Sequence, residues 1–139
     1  MEADCYNKYN FIIPAAGKGR RLRPYTNYIP KSMVAIGEET IIEHQLRNIP
    51  YQYVRSLTII TGYQHEKLVS FIEELKLPFS VNFYSNELFC ETHCAYSLLK
   101  AQKEIAEGFI YVNSDLLFTK RSLEALLTSS HKNAVCVRN

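Results

Sequence analysis

Short apolar runs alternate along the chain with longer segments in which apolar residues recur every three or four positions. The runs have the length of buried strands, and the longer segments have the period of amphipathic helices. The apolar runs predict strands at residues 9–14, 57–61, 79–84, 109–112 and 134–137. The periodic segments predict helices at residues 41–49, 64–76, 95–105 and 122–127, and residues 85–93, which have no clear period, predict a loop.

The first predicted helix has the clearest end signals. Thr40 is a good N-cap residue, and Glu43 three positions later completes a possible capping box. Pro50 ends this helix because proline cannot continue it, and Pro78 ends the second helix in the same way. Residues 33–36, which precede a glycine, are predicted to form a short buried segment closed by a turn.

Strands that alternate with helices predict a parallel sheet with helices on both faces, a three-layer αβα domain over residues 1–139. In such sheets ligands bind beyond the carboxyl ends of the strands. Residues 15–31 leave the carboxyl end of the first predicted strand, and residues 113–115 leave that of the 109–112 strand. These two segments are therefore expected to face the same crevice.

The composition is that of an ordinary globular domain, with 47% hydrophobic and 22% charged residues. No apolar run approaches the roughly 20 residues of a membrane span, and the polar N-terminus lacks the apolar core of a signal peptide. We therefore expect a cytoplasmic protein without a membrane partner. The four cysteines show no disulfide framework and are expected to be reduced, with Cys5 in a loose arm and Cys136 in the core.

The remaining cysteines suggest a metal site only weakly. Cys90, His93 and Cys94 lie close together in the sequence, but no fourth ligand is indicated, so zinc is disfavoured. The other three histidines are expected to be solvated on helix faces or in loops: His44, His65 and His131.

Cations are concentrated in one segment of the chain. No acid lies between Asp4 and Glu38, whereas that segment carries six of the sixteen lysines and arginines. With ten cations left against fourteen acids, the rest of the chain has a net charge of −4, although the whole chain has +2. A basic focus on a mildly acidic body indicates a local anion site rather than a generally basic protein.

The basic segment begins with two glycines shortly after the first predicted strand. Glycine reaches positive φ at low cost and lets a ligand approach the backbone, so successive N–H groups can point at one phosphate. Arginine adds a planar fork for phosphate oxygens, and lysine adds a mobile point charge. Two common phosphate loops do not match, because the dinucleotide fingerprint needs glycine where Leu22 stands and no P-loop pattern starts at Gly17.

The pattern that is present reads G-x-G-x-R-x-x-P-x-T-x-x-x-P-K, formed by Gly17, Gly19, Arg21, Pro24, Thr26, Pro30 and Lys31. It resembles the signature of the sugar-nucleotide pyrophosphorylase family, nucleotidyltransferases that join a nucleoside triphosphate to a phosphorylated acceptor and release pyrophosphate. The resemblance implies a Rossmann-like, mainly parallel sheet of the nucleotide-diphospho-sugar transferase type. It also implies a nucleotide site formed by Ala15, Ala16, Gly17, Gly19 and Arg21.

The resemblance assigns roles to three charged side chains. Arg21 would contact the β- and γ-phosphates that leave, and Lys31 would neutralise the α-phosphate or the acceptor phosphate, so these two are the expected catalytic residues. Asp115 would bind Mg²⁺, because the family usually reads D-G-D or N-G-D where this chain reads N-S-D. The family usually supplies a second magnesium aspartate much later in the chain, and no position here matches it.

Residues 86–101, NELFCETHCAYSLLKA, resemble the segment of the phosphocholine cytidylyltransferase branch that faces the nucleobase and the acceptor. His93 and Cys94 stand where that branch usually has asparagines. The base therefore stays open. The segment favours cytidylyl transfer to phosphocholine or a similar small phosphate, and a sugar 1-phosphate is the rival acceptor. Since catalytic domains of the family are usually much longer, the chain is expected to be a truncated, N-terminal portion, completed by a C-terminal half or by a homo-oligomer.

Two functions from other classes compete with this one. A non-catalytic nucleotide-binding or regulatory half-domain would bind a nucleotide through Gly17, Gly19 and Arg21 without turning it over. Nucleic-acid binding through residues 18–31 would fall steeply with salt. The rest of the chain offers no basic stripe, so no nucleic-acid partner is expected.

Overall fold

A computed structural model describes residues 7–105 and 108–137 of the chain. Its strands are β1 (Tyr9–Pro14), β2 (Ala35–Ile36), β3 (Glu39–Thr40), β4 (Val54–Thr61), β5 (Val81–Ser85) and β6 (Phe109–Tyr111). Its α-helices are α1 (Ile41–Asn48), α2 (His65–Glu74), α3 (Cys94–Lys100), α4 (Gln102–Ile105) and α5 (Lys120–Leu127). Short 3₁₀ turns lie at Arg20–Leu22, Lys31–Met33 and Tyr51–Tyr53. The loop predicted at residues 85–93 lies between β5 and α3.

Four strands form one parallel sheet in the order β5-β4-β1-β6, and β2 and β3 form a small antiparallel hairpin. β1 lies in the middle, where Ile13 is opposite Ile59 of β4 and Ile12 is opposite Tyr111 of β6. The parallel sheet predicted from the alternation of strands and helices is therefore confirmed. Its carboxyl edge carries the segments that follow β1 and β6.

Helices cover both faces of the sheet because successive residues of the central strands point to opposite faces. Phe11 and Ile13 are fully buried on one face, in a cluster to which α1, α2 and α5 contribute. Ile12 and Ile60 are fully buried on the other face, against Ala101 between α3 and α4. Each such side chain contributes about 1.5–3 kcal/mol of hydrophobic stabilisation. The three-layer αβα arrangement is thus confirmed.

The capping box predicted for α1 is present. The Glu43 backbone N–H donates to Thr40 Oγ1 at 3.3 Å, and the Thr40 backbone N–H donates to the Glu43 carboxylate at 2.7 Å. Such a cap contributes about 1 kcal/mol to helix stability. It fixes the start of α1, which buries Ile42, Leu46 and the following Ile49 at the predicted helical spacing.

The predicted strand at residues 134–137 is wrong. This segment has no strand structure, and Val135 and Val137 are 83% and 78% exposed. An apolar run forms a strand only when a neighbouring strand pairs with its backbone, and in the described residues β6 pairs with β1 alone. Cys136, predicted to lie in the core, is exposed, and its thiol approaches the Ser122 carbonyl at 3.7 Å. Cys5 lies outside the described residues.

Other element predictions need smaller corrections. Residues 33–36 are only partly buried, with Ala35 exposed, because they turn into the β2–β3 hairpin at the surface. The helix predicted at residues 95–105 is divided at Ala101 into α3 and α4. The remaining predicted elements are present, with ends that differ by a few residues. No helix in the described part of the chain is long and apolar enough to cross a bilayer.

Candidate nucleotide-binding site

A crevice of about 210 Å³ opens at the carboxyl ends of β1 and β6. One wall is the loop that follows β1, and the other contains residues 113–115 and the start of α3. The prediction that the two segments face one crevice is confirmed by this geometry. The lining residues from the end of β1 and from the loop are Pro14, Ala16, Gly17, Gly19 and Lys31.

Neighbouring backbone holds the first residues of the loop in place. The Ala15 N–H donates to the Ile60 carbonyl at 2.7 Å, and the Tyr63 N–H donates to the Ala16 carbonyl at 2.9 Å. Gly62 packs so closely that a Cβ there would lie 2.8 Å from the Ala16 oxygen. The Gly17 position, in contrast, faces open space, because no atom lies within 4 Å of a Cβ built there. The loop is therefore anchored at its start and accessible at its first glycine.

Gly19 explains the spacing of the signature pattern. Its backbone φ is +59°, a left-handed conformation that residues other than glycine adopt only at an energetic cost. A Cβ at this position would lie 2.9 Å from the Lys31 Cβ and 3.1 Å from the Thr26 Cγ2. The Thr26 hydroxyl also donates to the Gly19 carbonyl at 2.9 Å. The glycine, the threonine and the lysine are thus packed as one unit, although the chain separates them.

Lys31 and Asp115 meet across the crevice. Their Nζ and Oδ2 atoms lie 2.7 Å apart, and 25% of the Lys31 side chain and 48% of the Asp115 side chain remain exposed. The hydrogen bond and charge of Lys31, helped by the charge of Arg21, hold the pKa of Asp115 below its ordinary value against the opposing effect of burial. The pair places a cation and a carboxylate at one end of the glycine loop.

The other cations of the loop lie outside this pair. Arg21 is exposed in the Arg20–Leu22 turn and is not a lining residue, although its charge reaches Asp115. Lys18 lies over the ring of Phe89, with its Nζ 5.7 Å from the ring centroid. Arg20 and Arg23 are exposed. Of the predicted catalytic residues, the structure therefore brings Lys31 to the crevice and leaves Arg21 beside it.

Polar side chains from β5 to α3 line the far wall. Asn86 is fully buried, and its Nδ2 donates to Thr92 Oγ1 and to Ser97 Oγ at 3.0 Å each. These bonds support the start of α3, where His93 and Cys94 line the crevice and are exposed. The crevice therefore offers a second group of polar atoms opposite the loop.

Tyr111 lines the same wall and was not identified from the sequence. Its hydroxyl donates to Asn113 Oδ1 at 3.1 Å. Burial, with smaller effects of Cys94 and Asp115, raises the pKa of Tyr111 to about 12. The hydroxyl therefore stays protonated at neutral pH and keeps its role as a donor. Its position at the end of the 109–112 segment was a usable signal, since strand ends carry site residues in this architecture.

Two histidines predicted to be solvated have partners instead. His44 lies between the Glu39 carboxylate, 3.0 Å from its Nδ1, and the Phe118 carbonyl, 3.1 Å from its Nε2. The Nδ1 atom of His65 lies 2.6 Å from Thr61 Oγ1. Both histidines lie on helices as predicted, but they are only partly exposed, because their partners come from β3, β4 and the segment before α5, whose positions the helical pattern does not reveal. His131 is exposed, as predicted.

The described residues offer one carboxylate to a cation in this crevice. No group of three His, Cys, Asp or Glu side chains close enough to hold a metal occurs in residues 7–105 and 108–137. Asp115 is a hard oxygen donor at the crevice, and Mg²⁺ is commonly held by one or two carboxylates together with substrate phosphates and water. The site therefore fits Mg²⁺ that arrives with a polyphosphate better than a metal held by protein alone.

Glycine-rich backbone and a lysine that faces a carboxylate at the edge of a parallel sheet define an α/β protein suited to phosphorylated ligands. The chain belongs to the nucleotidyl transferase family, which it matches over residues 10–137. The family assignment made from the signature loop is thereby confirmed.

Relatives in this family are similar over most of the chain. It is 29% identical to the choline-phosphate cytidylyltransferase of Streptococcus pneumoniae over 120 residues. This matched region covers 86% of the chain and 51% of the relative. It is 32% identical over 128 residues to the bifunctional protein GlmU of Methanococcus maripaludis, covering 92% of the chain and 29% of that protein. The chain thus spans about half the length of the first relative and less of the second.

Solved structures agree on the fold. The CTP:phosphocholine cytidylyltransferase of Streptococcus pneumoniae superposes with a TM-score of 0.66 at 27% identity, over 82% of this chain and 50% of that one. The inositol-1-phosphate CTP transferase of T. maritima gives a TM-score of 0.74 at 18% identity, over 89% and 50% of the two chains. The nucleotide-diphospho-sugar transferase type of fold predicted from the resemblance is confirmed.

Proposed function

We propose that the chain is the nucleotide-binding portion of a cytoplasmic, magnesium-dependent nucleotidyltransferase. In the proposed reaction an oxygen of a phosphorylated acceptor attacks the α-phosphorus of a nucleoside triphosphate. The new phosphorus–oxygen bond forms as the bond from the α-phosphorus to the bridging oxygen breaks, and pyrophosphate leaves with the bonding electrons. Such transfer depends mainly on positioning and on electrostatic stabilisation of the reacting phosphates.

The contact between Lys31 and Asp115 carries this proposal. It brings the last residue of the signature pattern to 2.7 Å from the carboxylate at the end of β6, beside the open backbone at Gly17. A reaction between two anions needs cations at the point where they meet, and a carboxylate there attracts a divalent ion that accompanies the phosphates. Loop, cation and carboxylate are all present in one crevice.

The side chains have distinct tasks in this proposal. Lys31 neutralises the α-phosphate or the acceptor phosphate, because its Nζ points into the crevice while its stem packs on Gly19. Arg21 binds the β- and γ-phosphates from the exposed side of the loop, where its charge already acts on Asp115. The backbone at Ala16, Gly17 and Gly19 faces the phosphate chain, whereas the Ala15 N–H, which donates to the Ile60 carbonyl, fixes the start of the loop. The Lys31 and Arg21 charges then offset the negative charge that develops on pyrophosphate.

Asp115 is the proposed magnesium ligand. In the folded chain the contact with Lys31 holds the pKa of Asp115 below its ordinary value. The carboxylate is therefore ionised throughout the neutral range and available as an oxygen donor. When bound, Mg²⁺ would polarise the phosphate oxygens and lower the charge repulsion between the substrates. Lys31 holds the carboxylate at the crevice in the absence of the ion, and Tyr111 orients the neighbouring Asn113 side chain.

We favour CTP as the nucleotide and phosphocholine or a similar small phosphate as the acceptor. The choline-phosphate cytidylyltransferase relative, at 29% identity over 86% of the chain, supports this choice. A sugar 1-phosphate is the rival acceptor, because the signature loop resembles that of sugar-nucleotide pyrophosphorylases. His93 and Cys94 depart from the asparagines usual in the phosphocholine branch, and they line the crevice where an acceptor would be distinguished.

A thermal-shift panel tests the nucleotide part of the proposal. We expect CTP with Mg²⁺ to stabilise the chain more than UTP, GTP, ATP or dTTP, with about 2.7 kcal/mol at a ligand concentration of about 100 times the dissociation constant. The Arg21→Ala variant should lose this gain, whereas Arg121→Ala, an exposed arginine on α5, should keep it. Equal shifts in both variants, or no shift with any triphosphate, would contradict the proposed site.

A non-catalytic nucleotide-binding module is the second candidate, favoured by the single carboxylate that the described residues bring to the crevice. Such a module would show the same CTP stabilisation. Release of pyrophosphate from CTP and phosphocholine, by the chain alone or with the C-terminal half of the S. pneumoniae relative added, separates the two. Release dependent on Lys31 supports the transferase, and binding without release in either assay supports the module.

A further inference from the structure

Gln45 on α1 is fully buried and contacts the turn that carries Asp115. Its Nε2 donates to the backbone carbonyls of Asn113 and Leu116, both at 2.7 Å, across 68 and 71 positions of sequence. Because both neighbours are carbonyl oxygens, which only accept, the amide nitrogen must face them. A buried side chain with two short bonds to one turn is placed to fix that turn.

The turn itself depends on the same atoms. The Leu116 N–H donates to the Asn113 carbonyl at 3.1 Å, so Gln45 binds both ends of the turn that exposes Asp115. The rest of α1 continues this hold on the following segment. Asn48 Oδ1 accepts from the Lys120 N–H at 3.2 Å, and His44 bonds the Phe118 carbonyl. Side chains on one face of α1 therefore form hydrogen bonds with the backbone from residue 113 to residue 120.

α1 is also connected to the Lys31 side of the crevice. The Lys31–Met33 turn packs against α1, and the Ile41 N–H donates to the Val34 carbonyl at 3.0 Å. The helix that holds the turn carrying Asp115 is therefore also the helix that supports the backbone turn carrying Lys31. A shift of the turn relative to α1 would separate the two charged groups.

We propose that Gln45 is a positioning residue that sets the Asp115 carboxylate opposite Lys31. The expected effect of Gln45 on nucleotide binding rests on the proposed function. The argument that Gln45 fixes the turn depends only on its two hydrogen bonds. Gln45 does not line the crevice, so it acts through Asp115 and not through the ligand.

The Gln45→Met variant tests this role, because methionine keeps the volume and burial but removes both N–H donors. We expect faster amide exchange at Leu116 without a change in the slow amides of β4, and binding of CTP with Mg²⁺ that is about tenfold to a hundredfold weaker. Ile42→Val, a buried change on the same helix, is the matched control and should alter neither measurement. Unchanged exchange at Leu116 in Gln45→Met would overturn the proposal.

A double-mutant cycle separates positioning from general loss of structure. If Gln45 acts through Asp115, Gln45→Met should add little to the weakened CTP binding of Asp115→Asn, so that the two effects are not additive. Full additivity would overturn the positioning role. If the wild-type chain does not bind CTP with Mg²⁺, the proposed function fails, and the exchange at Leu116 alone then decides whether Gln45 fixes the turn. If Gln45→Met does not fold, Gln45→Asn, which keeps an uncharged amide but is too short to reach both carbonyls, should show the same loss of protection at Leu116.

Discussion

Replacing Lys31 by methionine is expected to weaken the binding of CTP with Mg²⁺ by about tenfold to a hundredfold. A hydrogen bond to a charged group contributes about 1.5–3 kcal/mol, which corresponds to a change of this size. Methionine retains most of the stem that packs against Gly19, so the loop should keep its shape. Isothermal titration of the wild type and of Lys31→Met with CTP and Mg²⁺ measures the effect. Lys120→Met, which removes an exposed lysine paired with Glu124 at 3.9 Å, is the matched control and should bind as the wild type does.

The same variant should change the titration of Asp115. Lys31 is the main cause that depresses the pKa of this carboxyl, so its removal should return the pKa upward. A depressed pKa stabilises the folded state above the pKa of the unfolded chain, and this stabilisation disappears as the pH falls through the folded pKa. The stability difference between wild type and Lys31→Met should therefore be present at neutral pH and vanish in acid. A carboxyl ¹³C titration that is identical in both proteins would contradict the contact.

Replacing Gly19 by alanine is expected to reduce both stability and nucleotide binding. A left-handed residue other than glycine costs about 1–2 kcal/mol, and the added Cβ would also press on Lys31 at 2.9 Å. Two other glycines separate these effects. Gly37 has a φ of +74° with no atom within 4 Å, and Gly17 has open space without a positive φ. Denaturant unfolding and CTP titration of all three alanine variants are the measurements.

The expected pattern across these glycine variants is specific. Gly37→Ala should lose stability but bind CTP normally, because its strain lies outside the crevice. Gly17→Ala should keep its stability, since neither strain nor a clash arises there. Only Gly19→Ala should lose stability and, through the displacement of Lys31, affinity as well. Normal affinity in Gly19→Ala would show that the position of Lys31 does not matter for the ligand.

Much of the fold could be predicted because its signals are local. The capping box at Thr40, the prolines after two helices and the apolar runs of the central strands each act within a few residues, and the structure confirms them. The strand predicted from the apolar run at residues 134–137 was wrong for the same reason. Its apolar character is local, but a strand also needs a paired neighbour, which the sequence pattern does not show.

The site was predictable to the extent that its parts are close in sequence. Gly19, Thr26 and Lys31 pack on one another, so their spacing is visible as a pattern. The meeting of Lys31 with Asp115 joins residues 84 positions apart and followed only from the topology of parallel sheets. Gln45 was missed, although a glutamine between Ile42 and Leu46 on an apolar helix face is a signal that could have been used.

Mapping the CTP site by amide chemical shifts is the most direct test of the claim that the loop and the β6 end form one triphosphate site. With CTP and Mg²⁺ we expect the amides of residues 15–19, of Lys31 and of residues 113–115 to shift together, with one dissociation constant. The cavity of about 660 Å³ on the other side of β6, beside α5, provides the contrast. Shifts around that cavity that leave the amides of residues 15–19 and Lys31 unchanged, or no saturable shift at the crevice, would contradict the claim.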